Sequence, residues 1–241
     1  MHYRNLHIIG SSHIARQSLN EVRAHIENEK PDIVALELDP RRLYGLLHDA
    51  KGSFPIWKIG IKGYLFSVIG SWASKKLGKL VGVAPGSEMK TAYRLARKNN
   101  LKVALIDQDI EITLKRFSAE LTWREKWNFV ADLIRGLFFR DKVMEGLGIK
   151  GLDLRKVPDK EMIRKLIGQL KVRFPNVHKV LIDERNRVMA ANLSRIMAAH
   201  PDSRILAVVG AGHEEDIISL LKARFGYSFS VEYEDTDHLV Q

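Results

Sequence analysis

Two short patterns of the same form, one near each end of the chain, constrain the fold most. Gly-Ser-Ser-His ends at His13 after the apolar run 6–9, and Gly-Ala-Gly-His ends at His213 after the apolar run 205–209. Short apolar runs of this kind are typical of buried strands, and each leads into a helical pattern. Ligands of open α/β sheets bind outside the carboxyl ends of parallel strands. The sequence therefore predicts a site at one edge of a sheet that contains both histidines.

The first fifty residues predict parallel strands joined by a helix. Strands are expected over 4–10 and 32–37, and Ser18 with Glu21 has the spacing of a capping box for the helix between them. A strand, a helix and a strand within about thirty residues form a βαβ unit, whose two strands are parallel. The sheet is thus expected to begin as a parallel one.

The remaining pattern predicts a helical chain with few further strands. We expect strands over 103–106, 204–209 and 228–232, helices over 87–99, 113–149, 159–173, 176–199 and 214–224, and a short helix after Asp39-Pro40. The prediction is a single α/β domain over 1–241. Its central, mostly parallel sheet is built from both chain ends. A large helical insertion covers about 51–200 and is interrupted by a strand near 102–107.

The composition restricts the chemistry. The 241 residues include no cysteine, which excludes disulfides, zinc-thiolate sites and cysteine nucleophiles. A metal would have to use histidine, carboxylate or amide ligands. There is no signal segment at the N-terminus and no run of about 18 apolar residues, so we expect a cytoplasmic protein or one at the cytoplasmic face of a membrane.

The net charge of +10 favours anionic partners, and much of it comes from one stretch. Residues 51–83 contain six lysines, no acidic residue and no arginine, with Trp57 and Trp72 among them. Such a stretch could lie on an anionic membrane surface, or contact an acidic peptide or a partner subunit, including a second copy in a homo-oligomer. It could equally be an amphipathic helix with a solvated lysine face. Nucleic acid ranks last as a partner, because net charge alone supports it.

Polar residues also follow the other predicted strands. Glu37 comes at the end of the second strand and Asp107 at the end of the third. Two imidazoles and one or two carboxylates from separate strand ends suit a divalent transition metal that keeps a position open for water. Alternatively, each histidine caps its own helix or bonds to a loop.

A second polar feature lies on the helix 176–199. Its predicted apolar stripe includes Val180 and Val188, with Glu184 near the middle and Arg185 on the flank. An acid that faces a core or cleft must be paired, or its pKa rises. Arg42 and Arg185 are the candidate partners of Glu184. The alternative is a structural ion pair that ties the long helix to the sheet.

Six segments, taken together and in order, resemble the TraB family, named for a pheromone-shutdown protein, within a wider group that includes GumN and the Tiki proteases. They are 10–13, 37–42, 82–89, 105–116, 183–186 and 209–213. The resemblance implies the α/β fold of the erythromycin-esterase and ChaN-like proteins. It also implies metal-dependent peptidase activity, as proposed for Tiki proteins, which use manganese or cobalt. Many family members continue into C-terminal membrane helices, so we expect a soluble member or the soluble part of a longer protein.

Carried over to this chain, the resemblance places the two histidine motifs on His13 and His213. The acidic motif falls on Glu37 with Arg42, and the Glu-Arg-Asn motif on residues 184–186.

The leading hypothesis is a metal-dependent hydrolase acting on peptides. In this hypothesis the ligands of Mn²⁺ or Co²⁺ are His13, His213 and Glu37. Glu37 or Glu184 accepts the proton from water, and Arg185 or Arg42 stabilises the oxyanion. The substrate contacts are Asn186, Glu88 and Asp107. The alternative is a non-enzymatic module that sequesters a peptide or a membrane partner.

Overall fold

The structure is a computed structural model, and it describes residues 1–11, 16–48, 86–125, 127–128, 131 and 160–224. Its strands are β1 (His2–Tyr3), β2 (Leu6–Ser11), β3 (Ile33–Leu36), β4 (Lys102–Leu105) and β5 (Ile205–Gly210). Its helices are α1 (Arg16–Glu29), α2 (Pro40–His48), α3 (Ser87–Lys98), α4 (Ile110–Glu120), α5 (Lys160–Arg173), α6 (Pro175–His178), α7 (Glu184–Ala199) and α8 (214–224). A π-helical turn, Lys179–Asp183, joins α6 to α7.

The strands form one sheet in the order β1-β2-β5-β3-β4. All neighbouring pairs are parallel except β1 and β2, which form an antiparallel hairpin. β5 comes from the far end of the chain and lies between β2 and β3. The prediction of a mostly parallel α/β sheet built from both chain ends, with helices inserted between, is therefore confirmed.

Helices cover both faces of the sheet. On one face, α1 and α3 pack through Val22, Ile26, Met89 and Ala92 against alternate residues of the strands. On the other face, α7 and α8 pack through Met189, Leu193, Ile217 and Leu221 against the remaining ones. β3 and β5 are buried along their whole length, which explains why they are uninterrupted apolar runs rather than alternating ones.

Three predicted boundaries were wrong. The first strand begins at Leu6 rather than at residue 4, because Arg4, with a φ of 53°, lies in the turn of the β1–β2 hairpin. Ser18 cannot be an N-cap, because α1 already includes Arg16. The helix predicted over 113–149 is interrupted, since α4 ends at Glu120 and Leu121 has extended backbone angles.

Other predictions fall on residues that the structure does not describe. These are the lysine-rich stretch 51–83, the strand over 228–232 and the position of His13. Among the helices that are described, none combines the length and the apolar character needed to cross a membrane.

Candidate functional site

The carboxyl edge of the sheet brings together residues from three strand ends. Glu37 directly follows β3, and its backbone N–H donates to the Val208 carbonyl of β5 at 3.0 Å. Asp107 follows β4, and His213 lies in the turn after β5. The end of β2 is adjacent to the His213 turn, because the Ala211 N–H donates to the Ser11 carbonyl at 2.8 Å. Of the predicted ligands, Glu37 and His213 are thus placed at one edge.

Arg185 lies at the centre of this edge and bonds two carboxylates. Its Nε donates to Asp107 Oδ1 at 3.0 Å and its Nη2 to Asp107 Oδ2 at 2.8 Å, while Nη2 also donates to Glu37 Oε1. The Arg185 side chain is 14% exposed and those of Glu37 and Asp107 are 2% and 1% exposed. Burial alone would lower the pKa of Arg185, but the charges of Glu37 and Asp107 outweigh it and raise that pKa. Arg185 is therefore a permanent cation.

Arg42 reaches the same network from α2. Its Nη1 donates to Asp107 Oδ2 at 2.6 Å, and its side chain is 32% exposed. Asp39 begins α2 by accepting hydrogen bonds from the N–H groups of Arg41 and Arg42. Burial raises the pKa of Asp39, and its Oδ2 has no hydrogen-bond partner within the part of the chain that is described. The segment 37–42 thus supplies a buried carboxylate, a helix cap and a half-exposed cation.

The His213 ring is held in one orientation. Its Nδ1 lies 2.6 Å from Asn186 Oδ1, and the Asn186 amide nitrogen donates to Asp216 at 3.0 Å. Because the Asn186 oxygen can only accept, we assign the His213 proton to Nδ1. Nε2 then presents a lone pair, 3.4 Å from Arg185 Nη1 and 3.6 Å from Glu37 Oε1. This is the tautomer that a metal-binding histidine needs.

His213 Nε2 and Glu37 Oε1 are placed so that they could be two of the ligands of one metal ion. Two atoms 3.6 Å apart can both lie at the bond lengths of about 2.0–2.2 Å that are typical of imidazole and carboxylate ligands. The other Glu37 oxygen, Oε2, accepts the Gly210 N–H at 2.5 Å, which fixes the carboxylate with Oε1 toward His213. A carboxylate oxygen has two lone pairs, so Oε1 can accept from Arg185 and still bind an ion. The predicted third ligand, His13, lies outside the described residues.

The π-helical turn determines which side chains of α7 reach the edge. A π turn inserts one extra residue, and each residue of an α-helix rotates the next by about 100°. Arg185 and Asn186 consequently face the sheet, whereas Glu184 faces Arg116 of α4, with Oε1 2.6 Å from Nη2. The predicted stripe through Val188 was wrong, because Asn186, Met189 and Leu193 are the buried positions. The predicted pairing of Glu184 with Arg42 or Arg185 was also wrong.

The predicted substrate contacts occupy different places. Asp107 belongs to the arginine network, and Asn186 holds His213. Glu88 is buried in the first turn of α3. The last turn of α3 lies beside the amino end of β4, which follows it in the chain. The first turn of α3 therefore lies at the opposite, carboxyl edge of the sheet. Their role in binding substrate stays a prediction, as does a proton-accepting role for Glu184.

A cavity of about 460 Å³ opens beside the His213 turn. It lies between α5, α7 and α8, and its lining includes Asn186, Gly212, Ile167 and Arg164. A Cβ at position 212 would lie 3.1 Å from Ile167 Cδ1, so glycine there allows α5 to approach closely. No residue of α5 was among the predicted site residues. The second glycine of Gly-Ala-Gly-His was the signal that could have indicated a close neighbour.

Helices on both faces of a mostly parallel sheet, with histidine, carboxylate and arginine side chains at its carboxyl edge, define an α/β protein with a ligand site at the strand ends. Within this class, the model of the TraB/PrgY/gumN family matches residues 2–228. The chain belongs to the TraB/PrgY/gumN family.

Relatives support this assignment over most of the chain. An uncharacterized protein of Methanocaldococcus jannaschii is 33% identical over 90% of this chain and 53% of its own length. The TraB domain-containing proteins of Bos taurus and Homo sapiens are 25% and 23% identical over 86% of this chain and 60% of theirs. This chain therefore spans between about half and three fifths of the length of these relatives.

Proposed function

We propose that this protein is a metal-dependent hydrolase of the peptidase type. One observation carries the proposal: the buried His213 ring, oriented by Asn186, places Nε2 3.6 Å from a fixed oxygen of Glu37. An imidazole nitrogen and a carboxylate oxygen that converge at the carboxyl edge of a parallel sheet form half of a typical catalytic metal site.

His213 and Glu37 would hold the ion together with His13, and the resemblance favours Mn²⁺ or Co²⁺. When bound, such an ion supplies Lewis-acid activation of water and of a carbonyl group. Asn186 keeps the His213 lone pair directed inward. The Gly210 N–H keeps the Glu37 carboxylate from rotating.

Of the two predicted proton acceptors, Glu37 is the one that lies at this site, and it could take the proton only in place of binding the ion, because Arg185 and the ion would otherwise use both lone pairs of Oε1. Its Oε1 lies beside His213 Nε2, whereas Glu184 bonds Arg116 on the other side of α7. A general base must lie within hydrogen-bond reach of the proton that it takes.

The two arginines have different roles in this proposal. Arg185 is enclosed by Glu37 and Asp107, so it positions both carboxylates. Arg42 is twice as exposed and bonds only Asp107 among the contacts given above, so its guanidinium is the one that a substrate carbonyl or carboxylate can reach. The neighbouring cavity has apolar walls and charges of both signs, which suits a peptide segment.

The test is peptide cleavage by the purified protein. A mixed peptide library is incubated with the protein and Mn²⁺, Co²⁺ or a chelator, and the products are identified by mass spectrometry. We expect metal-dependent cleavage that His213→Ala abolishes and that His48→Ala, on the exposed side of α2, retains. Absence of cleavage with every metal, or equal cleavage by His213→Ala, would overturn the proposal.

The second candidate is a binding module that sequesters a peptide or associates with a membrane or partner subunit. It is favoured by the side chains of Trp123 and Trp127, which are 74% and 68% exposed. The six lysines of 51–83 would supply positive charge for an anionic partner, in a protein at the cytoplasmic face of a membrane or in a homo-oligomer. This candidate expects binding to anionic vesicles or peptides without turnover, and loss of binding when those lysines are neutralised.

A further inference from the structure

A second group of histidines lies away from the carboxyl edge. His2 is on β1, His7 on β2, and His25 and Glu29 on α1. His7 Nδ1 is 2.9 Å and 3.1 Å from the two Glu29 oxygens, and His25 Nδ1 is 2.6 Å from Glu29 Oε1. The His2 ring stacks on the His7 ring with centroids 3.7 Å apart. Three imidazoles therefore surround one carboxylate.

This group, which we call the hairpin histidine cluster (His2, His7, His25 and Glu29), is separate from the candidate active site. His7 is the second residue of β2, at the amino end of the strand, whereas the residues of the candidate site follow the carboxyl ends. The cluster also uses the outermost strand, β1. No residue is shared between the two sites.

The donor atoms of the cluster are close enough to converge on one ion. Among the described residues, one ligand atom from each of His2, His7 and Glu29 lies within 4.8 Å of the others. Two ligands of one ion are at most about 4.2 Å apart at bond lengths near 2.1 Å, so a movement of under about 1 Å suffices. The exposed His2 ring can make this movement by rotating about its own side-chain bonds. His25 is outside this group of three, but its Nδ1 lies 2.6 Å from Glu29 Oε1, so it positions the carboxylate.

We propose that the hairpin histidine cluster binds one divalent transition-metal ion through imidazole nitrogen and carboxylate oxygen. Neutral imidazoles favour Zn²⁺, Ni²⁺ and Cu²⁺ over Mn²⁺, following the order of affinities of first-row metals. The ion joins the β1–β2 hairpin to the last turns of α1. It therefore stabilises the edge of the sheet and takes no part in catalysis.

The test is a titration of the purified full chain with Zn²⁺ alone, in competition with a chromophoric chelator. The double variant His7→Gln/His25→Gln is expected to lose one equivalent of bound Zn²⁺. His48→Ala, which removes an imidazole from an exposed helix face, is expected to retain it. His213→Ala is also expected to retain it, which separates this site from the proposed active site.

A second measurement covers the case in which the double variant does not fold. Histidine ring ¹⁵N resonances of the unmodified protein are followed during the titration, and His2, His7 and His25 are expected to shift together at one equivalent. His2→Ala, a single change at an exposed position of β1, should weaken binding and the rise in Tm that Zn²⁺ produces. Equal Zn²⁺ stoichiometry and affinity in the unmodified protein and His2→Ala, or shifts confined to histidines outside the cluster, would overturn the proposal.

Discussion

Arg185 bridges Glu37 and Asp107, two buried carboxylates that follow different strands of the sheet. The cation comes from α7, which is far from both strands in the sequence. This contact therefore ties the ends of β3 and β4 to the long helix. The buried charge of Glu37 depends on Arg185, whereas Asp107 is paired with both Arg185 and Arg42.

Removal of Arg185 should destabilise the fold strongly. Arg185→Ala leaves Glu37 buried without its cation and leaves Asp107 with Arg42 alone, and breaking a buried pair in this way costs about 3–5 kcal/mol. The measurement is the free energy of unfolding in urea. Arg187→Ala, at the exposed neighbouring position, should change it by less than about 0.5 kcal/mol. Similar losses in the two variants would show that the network is not stabilising.

Two glycines should respond oppositely to alanine. A Cβ at Gly10 would lie 2.8 Å from Glu214 Oε2 and 3.1 Å from Ala211 Cα, where the end of β2 meets the turn after β5. Gly10→Ala should therefore cost about 1–3 kcal/mol through forced displacement. A Cβ at Gly168, on α5, would meet no heavy atom within 4 Å. Gly168→Ala should therefore raise the free energy of unfolding by about 0.5–1 kcal/mol. Thermal unfolding of both variants gives the comparison, and a stable Gly10→Ala would contradict the close approach.

Glu125 should stabilise the protein in a pH-dependent way. Burial favours its protonated form, but hydrogen bonds from Asn176 and Thr122 outweigh this and lower the pKa of Glu125. Its Oε1 accepts the Asn176 N–H at 2.7 Å, so one carboxylate holds the start of α6 and the Thr122 turn together. Because the folded pKa is depressed, the stabilisation is present above the unfolded value and is lost as the pH falls through the folded one.

Glu125→Gln should consequently cost about 1–3 kcal/mol at neutral pH. This loss of unfolding free energy should become smaller as the pH falls below the ordinary glutamate pKa of about 4.3. Urea unfolding at a series of pH values measures this, with Glu161→Gln at an exposed position of α5 as the control. A cost that does not change with pH would mean that the charge of Glu125 contributes nothing.

Asn186 should control metal affinity without binding metal itself. Asn186→Leu removes the acceptor of the His213 Nδ1 proton and lets the ring rotate, and loss of such a partner typically weakens metal binding 10–100-fold. The measurement is Mn²⁺ or Co²⁺ affinity by titration, with circular dichroism to check folding. Asn99→Ala, at the exposed end of α3, is the control. Equal affinities in the two variants would argue against His213 as a ligand.

Local patterns predicted much of the architecture. The apolar run of β5 indicated a buried strand, and the βαβ spacing of β2, α1 and β3 indicated parallel strands; the structure confirms both. These features depend on residues close together in the sequence, which is why pattern and periodicity could predict them. The polar residues after the strands were expected at one sheet edge, and the Ala211–Ser11 hydrogen bond joins the His213 turn to the end of β2.

The composition of the candidate site could be predicted only in part. Glu37, Asp107 and His213 were placed at strand ends from the sequence, and the structure puts them at one edge. The partner of Glu184 could not be predicted, because the π-helical turn before α7 changes which of its residues face the sheet. A helical periodicity that assumes 3.6 residues per turn cannot anticipate that change.

The sequence by itself determined the four parallel strands β2 to β5 and the polar residues that follow them, since these come from local hydrophobic patterns; the short antiparallel strand β1 was not predicted. Only the tertiary structure decided how those residues are connected: that Arg185 joins Glu37 to Asp107, and that Asn186 orients His213. The physical reason is that a buried charge or a ring proton is stabilised by whichever partner packing brings within hydrogen-bond distance. That partner depends on the rotation of α7 and the approach of distant segments, which no local pattern encodes.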